Sequence, residues 1–163
     1  MSDYSIRRVT GHEAAVVACH RLRMFQDMGQ VPASLADDLQ QASERALAPL
    51  LASGEYVGWF AVDGSGAVIA GAGAHIKAHL PRIALSGERV AQGMVPLVVN
   101  VFTEPDWRGR GVARALMREL MTWAIAEDHE RVVLHASDDG RPLYVSLGFV
   151  ATNEMLWSPG TTA

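Results

Sequence analysis

Residues 95–126 read VPLVVNVFTEPDWRGRGVARALMRELMTWAIA, and this stretch decides the fold. Leu97 to Phe102 is a short apolar run rich in valine, the composition of a buried strand. Glu104-Pro105-Asp106 marks a turn. Arg108-Gly109-Arg110-Gly111-Val112-Ala113 follows, and then a periodic helix whose Leu116, Leu120 and Trp123 fall on one face, as core residues do. A strand, a glycine-containing turn and a helix N-terminus in that order form an anion site. The first N–H groups of a helix have no intrahelical acceptor, and the helix dipole adds positive potential. Gly109 and Gly111 remove the Cβ atoms that would hold a phosphate off the backbone. Arg108 and Arg110 add charge.

Working outward, the next segments are Leu134-His135-Ala136-Ser137 and Leu143-Tyr144-Val145-Ser146-Leu147-Gly148-Phe149. With the turn, they resemble the GCN5-related N-acetyltransferases. The coenzyme-A signature of that family is Arg or Gln, two residues, Gly, one residue, then Gly or Ala before a long helix. Arg108, Gly111 and Ala113 stand at those positions. The family's strand, helix, Leu-Tyr and Gly-Phe pattern stands at the usual distance downstream. The close resemblance covers about Val95 to Trp157, and the first half fits in layout only.

The resemblance implies a mixed α/β fold. Its sheet is mostly antiparallel, with a central pair of parallel strands that splay apart and helices on both faces. It implies acetyl-coenzyme A as cosubstrate, its pantetheine arm entering the gap. The backbone of Arg108, Gly109, Arg110, Gly111, Val112 and Ala113 would hold the pyrophosphate, and main-chain groups at Val99 and Val101 would pair with pantetheine amides. Tyr144 takes the family's general-acid position: a phenol of pKa about 10 is suited to giving a proton to the leaving thiolate. Ser137 stands where many relatives carry Asn, and bonds the coenzyme or caps the next helix. Arg114 and Arg118 read equally as solvated surface residues. The family usually has a seventh strand; here it is short, merged with the sixth, or missing.

Upstream, Tyr4 to Val9 reads as a strand. Thr10 and Glu13 have capping-box spacing. A helix follows with Val16, Cys19, His20, Phe25 and Met28 at spacings near three and four, closed by Gly29. Ser34 is placed to cap a second helix striped by Leu35, Leu39, Ala42, Ala46 and Leu50, which Pro49 should kink or end and Gly54 should close. Glu55 to Val62 and Ala67 to Ile76 form a hairpin around Asp63-Gly64-Ser65-Gly66. Gly71 and Gly73 mark close backbone approach or a bulge. Lys77 to Gly93 reads as a loop over one edge of the site. Arg131 to Ala136 is a strand, Pro142 begins a short helix ending at Gly148, and Phe149 to Trp157 is the last strand.

The 163 residues suffice for one domain with a sizeable core, and no linker divides residues 1–163. Hydrophobic content is 49% and charged content 20%, which argues against disorder. A net charge of −4 gives no general pull toward nucleic acid, and one RGRG copy in an acidic chain is not an RNA-binding tract. One cysteine, Cys19, excludes an internal disulfide and lies too far upstream of the motifs to suggest an acyl-enzyme. The histidines lack metal-ligand spacing, so no metal is expected. No signal peptide or membrane span is readable, and a cytoplasmic location is expected.

The expected activity is direct transfer of an acetyl group from acetyl-coenzyme A to a primary amine on a small molecule or peptide. The alternative is a non-catalytic acyl-coenzyme-A sensor using the same turn. Among Glu104, His75, His79, His135 and Glu154, none is assigned as general base, and His135 reads as a core histidine. Asn100 either faces substrate or marks a strand irregularity. Trp59, Trp107 and Trp157 read as partly buried more readily than as pocket walls. Homodimerisation stays open.

Overall fold

The computed structural model describes residues 3–159. Strand β1 (Tyr4–Arg8) leads to helices α1 (Ala14–Asp27) and α2 (Ala36–Ser53). Strands β2 (Tyr56–Asp63) and β3 (Val68–Ala78) follow. Two short strands, β4 (Arg82–Ile83) and β5 (Val90–Ala91), precede the long β6 (Met94–Thr103). Helix α3 (Val112–Ala126), strand β7 (Val133–Leu134) and helix α4 (Arg141–Ser146) complete the order. The main sheet runs β1-β2-β3-β6-β7. Its pairs are antiparallel except β6 with β7, which is parallel. This is the mixed α/β sheet that the sequence implied.

Alternation along β2 puts one set of side chains on each face. Tyr56 and Phe60 join Ala14, Val17, Ala18 and Leu47 under α1 and α2. Val57, Trp59 and Ala61 join Val112, Leu116, Met117 and Leu120 under α3. Leu116, Met117 and Leu120 have no exposed surface, and burying each such side chain contributes about 2 kcal/mol. Because both faces are covered, β2 shows six consecutive buried residues and not alternation. No helix among the described residues is long and apolar enough to cross a membrane.

The β6–β7 pair is where the sheet opens. Only Leu97 with Val133 and Val98 with Leu134 are paired, while β6 continues to Thr103. On its other side β6 carries a bulge. Gly73 pairs with Val99 and Gly71 with Phe102, so β6 holds one residue more than β3 between these pairs. Asn100, at φ 63°, is inside the bulge. It therefore marks a strand irregularity.

Several sequence expectations need correction. Phe149 to Trp157 forms no strand; the segment has no regular structure, and Met155, Leu156 and Trp157 are exposed. Among the described residues neither a sixth strand of the expected kind nor a seventh is added beyond β7. Lys77 to Gly93 is not simply a loop: β3 reaches Ala78, and β4 pairs with β5. Ser34 does not cap α2, since it sits in the middle of a 3-10 turn and the helix begins directly after that turn, at Ala36, with Leu35 at the cap position. Pro49 lies within α2, which runs on to Ser53 before Gly54 closes it at φ 79°. The buried face of α2 is Ser43 and Leu47, whereas Ala42 and Ala46 are exposed. Alanine is a weak marker of a face because it has little apolar surface to bury. Glu13 does reach back to Thr10, accepting from its N–H at 2.8 Å, and also pairs with Arg7, but Thr10 does not cap α1: the residue at the cap position is Glu13, and no side chain caps the helix.

Candidate active site

A cleft of about 900 Å³ opens between β6 and β7 and continues to the N-terminus of α3. Its floor is Val98 to Thr103. One wall is Arg108, Gly109 and Gly111 to Arg114, another is α1 from Arg21 to Met28, and a third is Leu134 to Tyr144.

The turn at the head of α3 has the form expected of an anion cradle. Gly109 and Gly111 have φ of 73° and 79°, a region that side-chain-bearing residues rarely adopt. An added Cβ at either would meet no protein atom within 4 Å, so the backbone conformation itself requires glycine. No side chain caps α3. The amides of its first turn are left to face the cleft, where the dipole favours negative charge. Arg108 ties this turn to its surroundings. Its Nε donates to the Thr103 carbonyl at 2.9 Å, and an Nη donates to Asp27 at 2.5 Å. Arg110 does not line the cleft; its guanidinium lies 5.1 Å from the centre of the Trp107 ring.

The strand side is equally open. Beyond Val98 the edge of β6 that faces β7 has no strand partner. Val99 and Val101 line the cleft there. Asn100 is buried and held from two sides: Arg21 donates to its Oδ1 at 2.8 Å, and its Nδ2 donates to the Tyr56 hydroxyl at 3.2 Å. Burial pushes the Tyr56 phenol up to about 12, although the Asn100 hydrogen bond and the Arg21 charge pull the other way.

Tyr144 lines the third wall, half-buried, with its ring edge-on to Phe149 at 6.0 Å. Burial raises its pKa above the ordinary tyrosine value, so the hydroxyl stays protonated through the neutral range. It makes no hydrogen bond to another described residue. Ser137 lies beside it and accepts the Gly140 N–H at 3.1 Å, shaping the turn into α4. That is a local capping contact, and Ser137 also lines the cleft.

The base candidates are scattered. Glu104 forms a two-point pair with Arg23. His135 is not a core histidine: it is exposed, lines the cleft and pairs with Glu154 at 2.6 Å. The register of β7 ends at Leu134, so His135 lies past the buried part of the strand. None of residues 77–93 lines the cleft; that segment borders a smaller cavity of about 290 Å³ with residues 127–131. Trp107 lines the cleft, whereas Trp59 is core. Sequence reasoning missed Arg21 and Asp27. Their only signal is a charge placed within an apolar helical pattern, which also describes a surface residue.

The Acetyltransferase (GNAT) family model matches residues 16–149. No curated protein matches the sequence. Among solved structures, a GCN5-related N-acetyltransferase from Ralstonia eutropha JMP134 is 28% identical at TM-score 0.85, over 97% of this chain and 99% of that one. A protein described as a predicted acetyltransferase, crystallised with acetyl-CoA from Clostridium acetobutylicum, is 26% identical at TM-score 0.79, over 95% of each chain. The glucosamine-6-phosphate N-acetyltransferase of Arabidopsis thaliana, 15% identical at TM-score 0.67 over 98% of this chain and 100% of that one, shares the fold. The cleft, the uncapped helix and the splayed strands thus agree with the sequence comparison: the chain belongs to the acetyltransferase (GNAT) family.

Proposed function

We propose that this protein transfers an acetyl group from acetyl-CoA to a primary amine, directly and within a ternary complex. The observation that carries this reading is a single cleft lined by three things: the uncapped start of α3, the unpaired edge of β6 and the Tyr144 side chain. The acetyl-CoA complex of the Clostridium relative supports the choice of cosubstrate.

In this reading the amides of Val112, Ala113 and Arg114 bind the pyrophosphate oxygens, as helix N-termini bind anions. Gly109, Gly111 and the Arg108 backbone complete the cradle. Main-chain groups of Val99 and Val101 take up the pantetheine amides, as a peptide adds to a sheet edge. Main-chain N–H groups at the bulge face the thioester oxygen and stabilise the charge that develops on it. The amine nitrogen attacks the carbonyl carbon, the carbon–sulfur bond breaks, and Tyr144 gives its proton to the thiolate sulfur. The proton lost by the amine passes to water, with no side chain assigned as base.

The test is calorimetric titration with acetyl-CoA, followed by release of free thiol in the presence of a panel of amines. Saturable binding with amine-dependent thiol release supports the proposal. Binding without release to any amine would leave an acyl-CoA sensor.

A further inference from the structure

The α1 wall of the cleft contains a cation with no counter-charge among the described residues. Arg21 is half-buried, lines the cleft and lies over the Phe25 ring at 4.7 Å. One Nη donates to Asn100 at 2.8 Å. Among the described residues no carboxylate lies within ion-pair distance of it. Neighbouring arginines differ: Arg23 pairs with Glu104 and Arg108 with Asp27. Taking a guanidinium partly out of water is costly unless an anion meets it. Burial lowers its pKa from the ordinary arginine value, with Tyr56 acting in the opposite direction.

We infer that Arg21 receives an anionic group of the acceptor, so that the preferred substrates are amines that also carry a carboxylate or a phosphate. This rests on the acetyl-transfer reading above. The planar fork of arginine matches both oxyanions, and among the described residues most of the Arg21 N–H donors have no acceptor. The phosphates of the coenzyme are not the missing anion. Thr103 lies three strand residues, about 10 Å, from Asn100, and the phosphate turn begins beyond it. Arg21 instead meets the strand at the bulge, where the thioester end of the coenzyme and the acceptor converge. Around it Met24, Phe25 and Val99 give apolar walls, which strengthen a charge-assisted bond by excluding water. A polyamine or other polycation entering there would meet like charge.

The experiment compares acceptors in matched pairs: an amino acid with its amide, and a phosphorylated amino sugar with its unphosphorylated form. A polyamine and an aminoglycoside serve as polycations. The expected result is a kcat/KM roughly 10- to 100-fold higher for the anionic member of one pair. The pair that responds tells carboxylate from phosphate. This preference is read on the wild-type protein and needs no variant. Arg21→Gln, which keeps a donor toward Asn100 but loses the charge, should erase the preference by raising the KM of the anionic member while retaining affinity for acetyl-CoA. Arg21→Lys should recover part of it. A wild-type preference for polycations, or none at all, overturns the inference alone. So does a fall in kcat with Arg21→Gln that is equal for all acceptors, because Arg21 would then act on the thioester or the bulge. Failure to acetylate any amine overturns the acetyl-transfer reading as well.

Discussion

The Tyr56 hydroxyl rests against Gly73 so closely that a Cβ at residue 73 would stand 2.0 Å from it. The same hydroxyl accepts the hydrogen bond of Asn100, the left-handed residue of the β6 bulge. A glycine in one strand thus makes room for the side chain that braces the next strand but one.

Gly73→Ala should therefore destabilise the protein by about 1–3 kcal/mol or more, the usual cost of overpacking. Urea unfolding measures this. Gly64→Ala is the comparison: like Gly73 it lacks positive φ, but its Cβ would find open space, so it should cost less.

Tyr144→Phe should lower kcat by roughly 10²-fold or more, as expected when a general acid is removed, with the acetyl-CoA dissociation constant unchanged. Because burial raises the pKa of Tyr144, the alkaline fall of the wild-type rate should come above pH ~10. An unchanged kcat in the variant would remove Tyr144 from the mechanism.

Gly111→Ala tests the cradle. The residue must hold φ at 79° with a Cβ, a strain of about 1–2 kcal/mol that relaxes by moving the first turn of α3. Calorimetry should show acetyl-CoA binding weakened about tenfold or more, since each 1.4 kcal/mol is a factor of ten. Circular dichroism should show the helix retained, because no protein atom opposes the added carbon.

His20 should set the acid limit of stability. It is buried between Phe60 and Phe102, and burial lowers its pKa to about 4. Glu104 opposes that shift and Arg23 adds to it. The unfolded chain takes up the proton near pH 6.5 and the folded one only near 4. Stability is thus full above pH 6.5 and is lost as pH falls toward 4, by about 3 kcal/mol in all. His20→Leu should flatten unfolding free energy across that window. Glu13, held down to about 2 by Arg7 and Thr10, acts in the separate window below pH 4.5.

The parts of this fold that were legible in the sequence are those fixed locally. The α3 turn was readable because positive φ demands glycine, and Gly109 and Gly111 stand where the strand ends and the helix begins. Gly71 and Gly73 signal close backbone approach or a bulge: the register shift of β3 against β6 falls between them, and the atoms that crowd them belong to side chains, His20 and Tyr56 among them, rather than backbone. Elements fixed by distant partners were not legible. Phe149 to Trp157 has the composition of a strand, but a strand needs a neighbour, and β7 pairs over two residues only. The face of α2 was misread because its alanines say little, and contact with α1 and the sheet decides it. Arg21 was invisible for the same reason: its meaning depends on Asn100, 79 positions away.

The gap between β6 and β7 leaves the sheet unfinished, and an unfinished sheet is completed by whatever occupies it. If the pantetheine arm bonds to Val99 and Val101 as proposed, the substrate becomes a structural rung of the protein. Free acetyl-CoA at a hundredfold excess over its dissociation constant would add about 2.7 kcal/mol to the folding free energy. Amide hydrogen exchange along residues 99–103 should slow in step with that gain, while exchange in β2 follows global unfolding alone. The folded lifetime of this chain would then report on the acetyl-CoA supply around it.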